Sequence, residues 1–198
     1  MGKINFYGIV IAAGYSSRFK SIKALAEWEK SNFIKTIIKK LNSICSSTVV
    51  ITGFEANLIS ENIKNISNTK TIFNKNYPAG MITSIVKGFE YYSNIKENDY
   101  IVFQPVDIPG ININTYENMK DIALKQKSYI IKPSYNMKCG HPVFFQKKVI
   151  DQILKLHYSN NDMSLKSLID KFQDYITYFN CNDENILKNY NYSDGLNL

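Results

Sequence analysis

The sequence holds only three cysteines, Cys45, Cys139 and Cys181, and only two histidines, His141 and His157. An odd, widely spaced set of cysteines builds neither a disulfide framework nor a CxxC metal pattern, so ordinary reduced thiols are expected. Cys139 is notable for its neighbours alone. Two histidines far apart in the chain do not make a zinc site. No apolar run approaches the length of a membrane span, so no membrane partner is expected. The N-terminal residues lack the charged, apolar and small-residue succession of a secretory signal, which makes the cytoplasm the expected compartment. Internal repeats, low-complexity tracts and linkers are missing too. The formal charge is +7, yet Lys39-Lys40 and Lys147-Lys148 are the only lysine doublets. Charge alone does not separate a nucleic-acid partner from a small polyphosphate substrate, and scattered lysines are usually just a solvated face. Nucleic-acid binding rests on nothing else and is not expected.

What is present is an ordinary globular composition, 198 residues with 44% hydrophobic and 21% charged. That length suits a single α/β domain covering residues 1–198. Strands are predicted at Ile4 to Ala12, Thr48 to Thr52, Thr71 to Phe73, Asp99 to Gln104, Ser128 to Lys132, Val143 to Phe145 and Tyr175 to Phe179. Pro105 and Pro133 are expected to end the fourth and fifth of these. Helical spacing appears over Asn32 to Asn42, Glu55 to Ile66, the segment after Gly80, Ile113 to Lys125, the segment through Val149, Ile153 and Leu156, and Ser164 to Phe172. A polar tail follows. Alternation of this kind predicts a Rossmann-like, doubly wound, mostly parallel sheet with helices on both faces, and ligands bind such sheets at the carboxyl ends of the strands.

Three groups at those ends carry candidate chemistry. The first runs from Ile9 to Lys23. Small residues at Ala12, Ala13 and Gly14 allow close approach of a ligand to the backbone, and successive N–H groups there can form an anion nest. Arg18 supplies a planar fork of donors for phosphate and Lys23 a compact charge. A glycine after the first strand is common in any α/β protein; the coincidence of small residues, hydroxyls, Arg and Lys in one loop is less so. Gly14 to Ser21 misses the P-loop pattern GxxxxGK[ST] by one residue, Phe19 in place of glycine, which argues against a P-loop ATPase. The second group is Asp107 between Pro105 and Pro109. A carboxylate closing a buried strand suits Mg²⁺, but Asp107 could equally serve as a turn or capping residue. The third comprises Gly80 with Ser84 at a helix start, and Cys139-Gly140-His141-Pro142. The helix start offers free N–H groups to a phosphate, sugar or base, although Thr83 reads best as part of an N-cap. His141 suits a hydrogen-bond donor to an acceptor substrate, with a purely structural turn role nearly as good.

Taken together, these segments resemble the molybdenum cofactor nucleotidyltransferases of the glycosyltransferase-A-like nucleotidyltransferase superfamily. The cytidylyltransferase branch of that family runs roughly LAAGxSxRMGxxKxLL, GMxxSL, DxP and GHP. Here the stretches are IAAGYSSRFKSIKAL, GMITSIV, VDIP and GHPVFF, in the same order over nearly the whole chain. The resemblance implies that Gly14, Arg18 and Lys23 bind triphosphate while Ala12 and Ala13 meet the base. It implies further that Gly80 and Ser84 border the nucleotide, that Asp107 holds Mg²⁺ and that His141 lies near the acceptor. The Ala12-Ala13-Gly14 form favours CTP, since the guanine branch usually carries paired glycines there. Two positions depart from the pattern. Lys20 replaces a family glycine, and Asn191 falls where the family's C-terminal DIDTPED places a second metal-binding aspartate.

The reaction so implied moves CMP from Mg-CTP to a phosphorylated acceptor, molybdopterin by resemblance, with release of pyrophosphate. A molybdoenzyme or its chaperone would be a further partner. Arg18, Lys23 and Asp107 would be catalytic through charge neutralisation and positioning, because a phosphate nucleophile needs no strong base. The alternatives are a catalytically weak nucleotide-binding regulator or cofactor-insertion chaperone, and a guanylyl- or sugar-phosphate nucleotidyltransferase.

Overall fold

The computed structural model describes residues 3–15, 22–126, 128–160 and 163–191. In chain order the strands are β1 (Phe6–Ala12), β2 (Glu27–Trp28), β3 (Ser31–Asn32), β4 (Ser47–Thr52), β5 (Thr69–Phe73), β6 (Tyr100–Pro105), β7 (Ile130–Tyr135), β8 (Lys138–Cys139), β9 (Val143–Gln146) and β10 (Ile176–Asn180). The helices are α1 (Phe33–Ile44), α2 (Ala56–Ile63), α3 (Met81–Tyr91), α4 (Ile113–Gln126), α5 (Lys147–Ser159) and α6 (Leu165–Ile169). Eight strands form one sheet in the order β10-β7-β9-β6-β1-β4-β5, with β8 attached to β7, while β2 and β3 make a separate hairpin. Among the described residues, antiparallel pairing within the large sheet is confined to the pairs that β8 and β9 make. The doubly wound, mostly parallel α/β sheet expected from the sequence is therefore present.

Side-chain alternation along the central strands builds two hydrophobic layers. Phe6 and Val10 of β1 lie with Val50, Val102 and Phe144 beneath Ile34, Ile37 and Leu41 of α1 and Tyr116 and Met119 of α4. Ile9 and Ile11 lie on the other face with Val49, Ile51, Ile101 and Phe103. There they meet Ile85 and Phe89 of α3 and Val149 and Ile153 of α5. A strand covered on both faces has no polar side, which is why β1 and β6 read as nearly continuous apolar runs. Each such buried aliphatic side chain contributes roughly 1.5–3 kcal/mol. The C-terminal ends of β1, β4, β5 and β6 are thus held side by side on a rigid base.

The helix starts have identifiable caps. The Asn32 side chain accepts from the Lys35 amide at 3.0 Å and opens α1. The cap of α4 comes from far along the chain: Asp183 accepts from the Asn112 amide and from the Thr115 hydroxyl, both at 2.8 Å. Its carboxylate thereby faces the positive end of the helix dipole.

Three expectations need correction. Pro105 and Pro133 do not end their strands but belong to them, opposite Ile11 and Phe179 respectively. Each lies beyond the last residue that pairs with β9, Phe103 in β6 and Ile131 in β7, so the missing N–H falls where one neighbouring strand has already ended. The helix predicted over Ser164 to Phe172 is shorter, with α6 giving way to a 3-10 segment at Asp170–Tyr175. Lastly, the polar tail is an ordered strap. Residues 181–191 return across the carboxyl ends of the strands through a 3-10 turn at Glu184–Leu187. Ile186 is fully buried, Asp183 is 4% exposed, and the Tyr190 ring packs 4.9 Å from Trp28 and 5.9 Å from Phe33. Its apolar residues are too irregularly spaced to produce a helical or strand period.

Candidate active site

The loop leaving β1 and the loop leaving β6 open onto one cavity of about 310 Å³. Ala12, Ala13 and Gly14 line it from the first loop, Lys23 from the 3-10 turn at Lys23–Leu25, and Asp107 from the loop leaving β6. Gly80 and Ser84, at the start of α3, complete the wall. Arg18, Phe19 and Lys20 fall outside the described residues, so the structure places most of the expected nucleotide-site residues together and leaves Arg18 aside.

The local backbone explains how the first loop is held. The Ala13 carbonyl accepts from the Phe54 amide at 3.2 Å, and the Ile11 carbonyl from the Val106 amide at 3.1 Å. Gly53, ending β4, lies against both the Ala13 carbonyl and the Tyr77 ring. A Cβ on Gly53 would stand 2.7 Å from that carbonyl oxygen and 2.5 Å from the ring, so a side chain there would push the loop out of place. Gly80 adopts φ of +113°, a conformation that favours glycine, directly before α3.

At the wall of the cavity formed by Lys23 and Asp107, three parts of the chain meet on one ammonium group. Lys23 Nζ donates to Asn191 Oδ1 at 2.9 Å and lies 3.8 Å from Asp107 Oδ2. Asp107 is mostly buried, and its desolvation raises the carboxyl above the usual carboxylate range in spite of the opposing pull of Lys23. The strap is fixed to the same loop by the Tyr190 amide, which donates to the Asp107 carbonyl at 2.8 Å. Among the described residues no three His, Cys, Asp or Glu side chains group as a metal site. Asp107 and Asn191 do offer two oxygens around one point. That set suits Mg²⁺, which binds through one or two protein oxygens and fills the rest of its shell with substrate phosphate and water.

Reading the sequence missed Asn74. It is 4% exposed at the end of β5. Its Nδ2 donates to Thr83 Oγ1 and Ser84 Oγ, each at 2.9 Å, while its Oδ1 accepts from the Asn76 amide at 3.1 Å. One side chain therefore ties β5, the turn before Gly80 and the start of α3 together. A polar residue directly after a parallel strand was the available signal. The Thr83 hydroxyl donates to the Gly80 carbonyl at 2.8 Å, in keeping with the helix-start role expected of it.

His141 occupies a second cavity, of about 480 Å³, with Lys132, Lys166, Asp170 and Asn189 among its lining residues. It shares none of these with the first cavity; Asn189 of the strap lines the second cavity, and Asn191 two residues on accepts from Lys23, which lines the first. The His141 amide donates to the Ile186 carbonyl at 3.1 Å, and its ring packs edge-on against Phe103 at 5.5 Å. Burial, with the Lys132 charge as a lesser cause, lowers its imidazole to about 4, so the ring is neutral at physiological pH. His141 thus combines a structural backbone bond with a position on the second cavity.

Comparison with known families gives the class of protein. Residues 8–175 match the model of the MobA-like NTP transferase domain. The chain belongs to this family. Among its MobA-like relatives, it is 28% identical over 147 residues to a molybdenum cofactor cytidylyltransferase of Escherichia coli, covering 74% of this chain and 73% of that one. It is 36% identical over 126 residues to a protein of Bacillus cereus named probable molybdenum cofactor guanylyltransferase, covering 63% and 60%. Several other Bacillus relatives of that name are matched over only about half their length. The fold recurs in a nucleotidyl transferase from Methanothermobacter, with a TM-score of 0.78, 16% identity and coverage of 96% and 93%. It recurs also in a Mycobacterium tuberculosis protein solved as a manganese complex, with a TM-score of 0.71, 15% identity and coverage of 91% and 89%. Nucleotidyl transfer is the chemistry common to the names of the family, of the two sequence relatives and of the Methanothermobacter protein. No helix among the described residues is long and apolar enough to cross a membrane.

Proposed function

We propose that this protein transfers a nucleoside monophosphate, CMP in preference to GMP, from a metal-bound nucleoside triphosphate to a phosphorylated acceptor. The observation that carries this reading is the convergence of Lys23, Asp107, Gly14, Gly80 and Ser84 on a single cavity at the carboxyl ends of the strands. The loop backbone at Ala12 to Gly14 and the start of α3 receive base, sugar and phosphates; Asp107 and Asn191 would hold Mg²⁺, which would supply neutralisation of charge on the phosphates. Lys23, with Arg18 from the same loop, stabilises the α-phosphoryl group and the departing pyrophosphate. An acceptor phosphate oxygen forms the new bond to the α-phosphorus as the bond from that phosphorus to the bridging oxygen breaks, and pyrophosphate carries away the electron pair. No general base is required, consistent with a neutral His141. The second cavity, with Lys132 and His141, suits the acceptor; molybdopterin is the acceptor that the names of the relatives favour.

The base preference rests on Ala12 and Ala13. Both are at most 5% exposed and carry methyl groups where paired glycines would leave more room, which favours the smaller pyrimidine. The test is a thermal-shift screen of ATP, GTP, CTP and UTP with and without Mg²⁺, followed by pyrophosphate release with a molybdopterin acceptor. CTP should stabilise most, and only with metal present. Equal stabilisation by all four would remove the base assignment, and none by any of them would remove the reaction.

A further inference from the structure

Lys23 stands where two different ligands of the site compete. Its ammonium lies 2.9 Å from Asn191 Oδ1 and 3.8 Å from Asp107 Oδ2, so the two oxygens assigned to the metal both face a cation that the chain itself supplies. A magnesium ion would need such an oxygen at about 2.1 Å, in space that the ammonium and its protons fill. The charge balance points the same way. Asp107 contributes −1 and Lys23 +1, and Asn191, where the family pattern has an aspartate, contributes none. A bare dication approaching Asp107 and Asn191 meets oxygens that already face the Lys23 ammonium. The Lys23 and Asp107 side chains are only 17% and 24% exposed, so water screens this competition weakly.

We propose that Lys23 is a built-in competitor of the divalent metal, so that metal enters this site only together with the triphosphate. The triphosphate supplies anionic oxygens for the ammonium, drawing Lys23 away from Asp107 and Asn191, and brings the further oxygens that complete the metal shell. Lys23 is then a positioning residue before it is a catalytic one, and binding of metal and nucleotide is strongly cooperative in both directions. The short reach needed fits the geometry, because Lys23 and the Ala12 to Gly14 loop line the same cavity as Asp107. This inference rests on the reading of Asp107 and Asn191 as metal ligands given above.

The test uses Mn²⁺ alone, followed by electron paramagnetic resonance of the free ion, on the full-length wild type and on Lys23→Met and Lys23→Gln. Two variants guard against a folding defect in one, and each is checked by circular dichroism. Wild type should hold Mn²⁺ alone at least tenfold more weakly than either variant, and adding Asp107→Asn to Lys23→Met should abolish the gain. Equal Mn²⁺ affinity in all three proteins overturns the proposal, as does a gain that survives Asp107→Asn. Equilibrium dialysis of labelled CTP with and without Mn²⁺ separates this from failure of the underlying reading. Metal-dependent CTP binding that is lost in Asp107→Asn supports the metal site whatever Lys23 does; its absence overturns both.

Discussion

The backbone carbonyl of Asp107 accepts a hydrogen bond at 2.8 Å from the amide of Tyr190. Through it the loop after β6 and the C-terminal strap form one unit, and the next residue, Asn191, reaches Lys23. The strap is anchored by the Tyr190 ring between Trp28 and Phe33. Tyr190→Ala keeps the amide but removes that anchor. We expect a stability loss of about 1–3 kcal/mol by urea unfolding, and a drop in pyrophosphate release of about tenfold, because Asn191 and the Asp107 loop lose a common support. Tyr190→Phe, which retains the ring, should behave as wild type in both assays.

Asp107→Ala should reduce pyrophosphate release by on the order of a hundred- to a thousand-fold, the usual cost of removing one electrostatic group from such a site. Burial already raises the Asp107 carboxyl, so the ionised side chain is held at some expense to the fold. Thermal unfolding of the variant should therefore match wild type or exceed it. Near-normal turnover would remove Asp107 from the metal site.

These two residues also show what the sequence could and could not convey. Asp107 was legible because a carboxylate following an apolar strand is a local pattern, and β1 and β6 were legible because strands buried on both faces leave long apolar runs. That the loops of Lys23 and Asp107 share one cavity followed from the rule that ligands bind at the carboxyl ends of parallel strands, whereas their ion pair did not. Tyr190 and Asp183 were not legible. The strap owes its path to single long-range bonds, such as Asp183 to Asn112 and the Asp107 carbonyl to Tyr190, and bonds between residues distant in sequence leave no period. Asn191 was identified only through resemblance, and Asn74 was passed over because its role depends on the turn that follows it. Pro105 and Pro133 misled for a related reason: whether proline ends a strand depends on which neighbours still pair there, which is a property of the sheet.

Gly140 separates steric from functional effects when set against Gly14. A Cβ on Gly140 would stand 2.1 Å from the carbonyl oxygen of Ile186 and 2.6 Å from its carbon, whereas one on Gly14 meets no atom of the described residues within 4 Å. Backbone cannot yield as a flexible side chain can, so Gly140→Ala must displace the strap or the His141 turn. It should cost about 1–3 kcal/mol, the usual penalty for overpacking. Gly14→Ala should unfold as wild type does, and any defect should appear as a higher KM for the nucleotide. Urea midpoints and nucleotide saturation curves for the two variants check both halves of this contrast.

His141 gives the fold a pH dependence of definite sign. Its imidazole is lowered from 6.5 to about 4 in the folded protein, chiefly by burial. The unfolded chain therefore takes up a proton on this residue before the native state does, so His141 favours folding fully above pH 6.5 and loses that advantage as pH falls toward 4. The loss should amount to about 1–3 kcal/mol, since each pKa unit corresponds to about 1.4 kcal/mol and partial access of water reduces the total. Asp107, whose carboxyl is raised, acts in the opposite direction over the lower part of the same range. Comparing wild type with His141→Gln cancels that contribution. Urea unfolding at pH 7.5 and at pH 4.5 should show wild type losing more stability than the variant between the two conditions. Parallel losses would mean that the ring is hydrated enough to protonate in the native state, and His141 would then be cationic beside Lys132 during any acidic assay of acceptor binding.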